Sequence, residues 1–152
     1  MRELTVSQEI AAQPASVWAI ITDLDAFEQT ISAVEKVERL DDGDGFGVGT
    51  RWRETRTMFG RTATEDMEVT SIDDGRSYVT EAHSHGAYYR TVMTVEPVGS
   101  DGTRLSTSFG AEPHGLVTKV VAATIGRLFE RATRKALEKD LAEIATAARS
   151  MP

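Results

Sequence analysis

The final segment of the chain, from about Leu116 to Ala148, limits the possible folds more than any other part. It holds no proline, its one breaker is Gly126, and apolar Val117, Val121, Ile125, Leu128, Ala132 and Ala136 recur at helical steps. At about 1.5 Å per residue such a helix spans roughly 50 Å, far beyond the average. A helix of that length must lie across something broad to cover its apolar stripe.

The preceding residues supply a sheet. Leu4, Val6, Gln8 and Ile10 alternate with Thr5, Ser7 and Glu9, the period-two pattern of a half-buried strand. Pro14 stands where a first helical turn tolerates its missing N–H, and Val17, Trp18, Ile21 and Leu24 follow at helical spacing. A short helix to about Thr22 and a second over Asp25 to Thr30 are predicted, with Trp18 in core packing. From about Val34 to Glu112 come five further strand candidates, separated by turn clusters at Asp41 to Gly49, Phe59-Gly60, Asp73 to Gly75, His85-Gly86 and Gly99 to Gly102. They read as an antiparallel meander. The expectation is an α+β chain in which a curved sheet of six to seven strands wraps a long C-terminal helix. No repeat or composition break divides residues 1–152, which read as a single domain.

Composition narrows the function classes. Zero cysteines exclude a disulfide framework, a thiolate nucleophile and any cysteine-containing zinc site, which suits a cytoplasmic location. Met1 is followed at once by the alternating Arg2-Glu3-Leu4-Thr5-Val6, and no run approaches the 18 or so apolar residues of a membrane span. Neither secretion nor membrane spanning is expected. The net charge of -7 repels a phosphate backbone and argues against nucleic acid as a partner.

The central hairpin reveals which side chains face the core. A two-residue Phe59-Gly60 turn sets Arg53 opposite Asp66 and Arg51 opposite Glu68, with Thr55 against Thr64 and Thr57 against Thr62. That polar face is the solvated one, so Trp52 with Met67, Glu54 with Glu65, and Arg56 with Ala63 point inward. Two carboxylates and a guanidinium are thereby aimed at an apolar interior, either as a buried ion network or as the polar floor of a ligand pocket. For the next hairpin two registers stay open. A three-residue Asp73-Asp74-Gly75 loop puts His83 inside, opposite Glu65; a two-residue Asp74-Gly75 turn puts it outside, opposite Asp66. Pairing Glu96 with Arg104 makes Tyr89, Met93, Val95, Leu105, Thr107 and Phe109 an inner set, and pairing Glu81 with Arg90 then favours the outside placement of His83 without settling it.

The order of strand, short helices, antiparallel meander and long helix resembles the START-like (Bet v 1-like, SRPBCC) superfamily, in its polyketide cyclase/dehydrase-like branch. The residues that carry the resemblance are Ala12-Gln13-Pro14-Ala15-Ser16-Val17-Trp18 with Asp23, Gly47-Val48-Gly49-Thr50-Arg51-Trp52-Arg53-Glu54, and Gly102-Thr103-Arg104-Leu105. Ser32 departs from the proline that many relatives carry before the second strand. The resemblance implies a helix-grip fold with an internal cavity. The ligand-binding residues expected there are Trp52, Glu54, Arg56, Glu65, Met67, His83, Tyr89, Met93 and Phe109, with Val117, Val121, Ile125 and Leu128 from the first half of the long helix.

Other motifs yield little. Gly43-Asp44-Gly45-Phe46-Gly47-Val48-Gly49 lacks the spacing of a phosphate cradle and leads into a strand, so it reads as a flexible loop near the cavity mouth. His83-Ser84-His85 flanks a turn with no supporting ligands, and nothing calls for a metal or cofactor. No Gly-x-Ser-x-Gly elbow is present. Arg127, Arg131, Arg134, Lys135 and Lys139, interrupted by Glu130, Glu138 and Asp140, read as a solvated helix face. Three functions follow: a carrier or binding protein for a hydrophobic small molecule, a cyclase or dehydratase using the inner Glu/Arg cluster, or a protein-interaction module with a collapsed cavity. The oligomeric state is not legible.

Overall fold

The computed structural model describes residues 2–58, 60–84, 87–113 and 116–151; the side chains of Arg2, Ser84 and residues 113–129 are outside that description. Strand β1 (Arg2–Ile10) leads into α1 (Pro14–Ile21), a 3-10 turn (Leu24–Ala26) and α2 (Phe27–Thr30). Then come β2 (Val34–Arg39), β3 (Arg51–Met58), β4 (Arg61–Asp73), β5 (Ser77–Ser84), β6 (Ala87–Val98), β7 (Gly102–Pro113) and the long helix α3 (Leu116–Arg149). The strands form one antiparallel sheet in the order β1-β7-β6-β5-β4-β3-β2. From β2 to β7 consecutive strands pair, and β1 adds to β7, so that β1 and β2 lie at opposite edges.

Periodicity decides each face. On β1, Leu4, Val6 and Ile10 are buried while Glu3, Thr5, Ser7 and Glu9 are exposed. The exposed hydroxyls pair across the edge, Thr5 with Ser108 at 2.8 Å and Ser7 with Ser106 at 2.9 Å. In the short helices, Val17, Ile21, Leu24 and Phe27 turn inward, and Trp18 packs edge-on against Tyr78 with ring centroids 6.0 Å apart. The second half of α3 presents Leu137, Leu141, Ile144, Ala145 and Ala148 to the same core. Leu105 of β7 and Leu141 of α3 are among its fully buried members, each contributing roughly 1.5–3 kcal/mol by leaving water.

The β3–β4 hairpin has the register its charges require: Arg53 lies opposite Asp66 with Nε donating at 2.8 Å, and Thr55 lies opposite Thr64 at 3.1 Å. The β4–β5 loop is neither of the two expected, although farther along Glu68 pairs with Glu81 and Val69 with Thr80, the register of the two-residue alternative that puts His83 outside. Asp73 pairs with Ser77 around Asp74-Gly75-Arg76, with Gly75 at φ 81°, a conformation that costs most L-residues roughly 1–2 kcal/mol and achiral glycine little. Pairing then shifts between Val69 and Ser71, leaving Thr70 as an extra residue, a β-bulge. The extra residue lets Val69 and Ile72, three apart, both face the core.

The loop between β2 and β3 is tied down by Asp41. Its carboxylate accepts from the backbone N–H of Arg51 at 2.9 Å and of Gly43 at 3.0 Å, and from Arg39. Those contacts, the Arg51 bond foremost, hold its pKa below the usual carboxylate range. Phe46, from the glycine-rich part of this loop, lies against Tyr78 (4.9 Å) and Trp52 (6.2 Å). No helix among the described residues is long and apolar enough to cross a membrane.

Candidate functional site

A cavity of about 410 Å³ lies between the concave face of the sheet and α3. The inner residues of the central hairpin form one wall: Trp52, Glu54 and Arg56 of β3 face Met67, Glu65 and Ala63 of β4. Next to them stand Tyr78, Thr80 and Ala82 of β5, then Tyr89, Thr91 and Met93 of β6, then Thr107 and Phe109 of β7. Ile20, Ile21, Phe27 and Ile31 close the end beneath the short helices, and Met58 and Arg61 stand at the turn end of the hairpin. From α3 come Thr133, Leu137, Asp140, Leu141 and Ile144.

Most of the wall is apolar or aromatic. Trp52 is 2% exposed and meets Phe27 edge-on at 6.0 Å. Tyr89 stacks on Phe109 at 5.9 Å, and the Thr107 hydroxyl donates to Met93 Sδ at 2.9 Å. The Tyr78 hydroxyl donates to the Ile21 carbonyl (3.0 Å), and burial pushes its phenol strongly upward, so it stays neutral. Tyr89 is also pushed up, by burial first and the charge of Glu65 second.

The polar floor is a chain of contacts spanning sheet and helix. Trp52 Nε1 donates to Glu54 Oε1 at 3.2 Å, Arg56 Nε to Glu54 Oε2 at 3.3 Å, and Arg56 Nη1 to Asp140 Oδ2 at 2.6 Å. The side chains of Arg56, Glu54 and Asp140 are 20%, 14% and 11% exposed, so bulk water screens them weakly. Burial weakens the hold of Arg56 on its proton, but the charges and hydrogen bonds of Asp140 and Glu54 outweigh it and raise its pKa. For Asp140, burial wins over the attraction of Arg56, and Glu54 and Glu143 add repulsion, so its carboxyl is pushed above the ordinary range. One guanidinium shared by two carboxylates leaves one of them under-compensated.

Eight residues expected at a ligand site line the cavity: Trp52, Glu54, Arg56, Glu65, Met67, Tyr89, Met93 and Phe109. His83 does not. It is exposed on the outer face, where Glu81 pairs with Arg90 and the His83 ring lies 5.0 Å from that of Tyr88. The backbone of α3 includes Val117, Val121, Ile125 and Leu128, but their side chains lie outside the described residues. Glu65 is not the partner of Arg56 that the hairpin alone suggests: its Oε2 is buried with no hydrogen-bond partner among the described residues, and Asp140 takes the role instead.

Asp140 reads in the sequence as an interruption of a solvated basic face. The structure places it on the buried stripe instead, three residues from Leu137 and four from Ile144, while Arg131, Arg134, Lys135 and Lys139 are exposed. An acidic residue in phase with leucines at helical steps was the available signal. Among the described residues no group of three or more His, Asp or Glu side chains is placed to hold a metal ion.

The fold has many solved counterparts. The protein TTHA0849 of Thermus thermophilus superposes with a TM-score of 0.81 at 18% identity, over 98% of this chain and 98% of that one. The Zhui aromatase/cyclase of Streptomyces sp. R1128 gives 0.77 at 16% identity, over 97% and 93%. Truncated norcoclaurine synthase of Thalictrum flavum gives 0.77 at 17% identity, over 99% and 95%. Identities this low establish a shared fold, the SRPBCC or Bet v 1 helix grip, and leave function to the site. No curated protein sequence matches this chain. The family model for polyketide cyclase / dehydrase and lipid transport proteins matches residues 1–149, and the chain belongs to that family.

Proposed function

We propose that this protein binds a hydrophobic small molecule, lipid-like or aromatic and polyketide-like, in the cavity between sheet and α3. The observation that carries the reading is the cavity itself: about 410 Å³, walled mostly by apolar and aromatic side chains, with an ion cluster of Glu54, Arg56 and Asp140 at its floor. That volume and lining match those of small-molecule sites, where apolar area supplies affinity and a few polar groups set orientation. An interior of this size weighs against an interaction module with a collapsed core. The test is titration with the neutral fluorophore Nile red, alongside native mass spectrometry of the purified protein. Saturable one-to-one binding, weakened by Trp52→Ala or Met93→Asp in folded variants, supports the reading. Absence of binding by Nile red, with no co-purified mass, removes it.

A second reading is supported by Asp140. Burial raises its proton affinity, placing a carboxyl group fit for proton transfer beside a guanidinium inside an apolar cavity. In a cyclisation or dehydration, Asp140 or Glu65 would move the proton and Arg56 would stabilise an enolate oxygen. Turnover of an aromatic polyketide-type substrate, lost in Asp140→Asn and with a pH profile that follows one carboxyl group, would establish chemistry after binding.

A further inference from the structure

The polar atoms still open inside the cavity belong to an acceptor-rich set. Among the described residues three carboxyl groups, Glu54, Glu65 and Asp140, line it, against the largely buried guanidinium of Arg56; a second guanidinium, of Arg61, stands exposed near the hairpin turn. Arg56 is already held from two sides, through Nη1 by Asp140 at 2.6 Å and through Nε by Glu54 at 3.3 Å. Glu65 lies directly across the hairpin from Glu54, and its buried Oε2 meets no donor among the described residues. Thr133, 4% exposed on the facing helix, carries an Oγ1 that is likewise without a partner among the described residues. A carboxylate oxygen only accepts hydrogen bonds, and a hydroxyl does either. Burying an acceptor without a donor costs roughly 1–3 kcal/mol, more when it is charged. A ligand that brings a donor to this place recovers that cost; one that brings a carboxylate adds repulsion to it.

We propose that the cavity selects ligands with an apolar aromatic body and a cationic amine directed at Glu65, with Thr133 as a second polar contact, and that it discriminates against carboxylate-headed ligands such as fatty acids. This deepens the ligand-binding reading of the same cavity and rests on it. The tyrosines do not alter the charge balance, because both Tyr78 and Tyr89 are pushed toward the neutral form. Arg61 offers the competing arrangement, an acid head group held at the rim, but an exposed guanidinium is screened by solvent. One charge-assisted hydrogen bond to a buried carboxylate corresponds to about a tenfold gain in affinity or more.

The experiment is displacement of bound Nile red at pH 7 by naphthylethylamine, naphthylethanol and naphthylacetate, which share one body and differ in head group. The expected order is amine, then alcohol, then acid, with amine and acid about tenfold or more apart. In Glu65→Gln the advantage of amine over alcohol disappears, both being measured against that variant's own Nile red affinity. Equal or tighter binding of the acid, or an unchanged amine-to-alcohol ratio in Glu65→Gln, overturns the proposal and leaves the cavity as a hydrophobic-ligand site. Failure of Nile red and all three competitors to bind overturns the cavity reading, and this inference with it.

Discussion

Replacing Arg56 with Met removes the cation from a buried group of carboxyls while keeping comparable apolar bulk. Arg56 and Asp140 are 20% and 11% exposed and 2.6 Å apart, so their attraction is only partly screened. Deleting one partner of a buried pair costs about 3–5 kcal/mol, and the low end applies here because Asp140 has an escape: it takes up a proton. Burial already raises its pKa above the ordinary value of 3.8 with Arg56 in place; without Arg56, repulsion from Glu54 and Glu143 goes unopposed. The sign follows from proton counting. A carboxyl whose folded pKa is raised binds more protons folded than unfolded, so its contribution is fully present below pH 3.8 and is lost as pH rises through the folded pKa. One such group changes stability by at most about 1.4 kcal/mol per pH unit. Urea melts of the wild type, Arg56→Met and Arg56→Met/Asp140→Asn between pH 4.5 and 8 read this directly. Arg56→Met is expected near wild type at the acid end and about 3 kcal/mol less stable at pH 8, with the double variant recovering most of the loss. Three parallel pH profiles would refute the reasoning, because they would mean that Arg56 and Asp140 do not share a buried site.

Two further substitutions separate surface from interior electrostatics and packing. Arg53→Met removes the outward pair with Asp66, whose side chains are 47% and 48% exposed, and is expected to cost less than about 1 kcal/mol in the same melts, with the remainder screened by salt. Tyr78→Phe leaves the Ile21 carbonyl without its buried donor at 3.0 Å and is expected to lower stability by about 1–3 kcal/mol while Nile red binding persists.

The strands, the two short helices and the long helix are legible because hydrophobic period is a local property: Leu4, Val6 and Ile10 alternate whatever they pack against. The β3–β4 register is legible for a related reason. Arg53 meets Asp66 and Thr55 meets Thr64 across a two-residue turn, and slipping by one residue would break each of these contacts and turn Trp52 outward. Most of the cavity wall follows from that register and from the pairing of Glu96 with Arg104.

What the sequence alone left open depends on packing between distant elements. His83 has an unambiguous face only once the bulge at Thr70 has reset β4 against β5, and a bulge is chosen by how Val69 and Ile72 both reach the core, not by a turn motif. The partner of Arg56 lies 84 residues away on α3. Helical periodicity gives Asp140 a phase on its own helix, but the rotation and slide of that helix across the sheet decide whether a carboxylate in that phase meets solvent or a guanidinium. The same docking sets Arg56 against Asp140, while Glu65 Oε2 and Thr133 Oγ1 have no partner among the described residues.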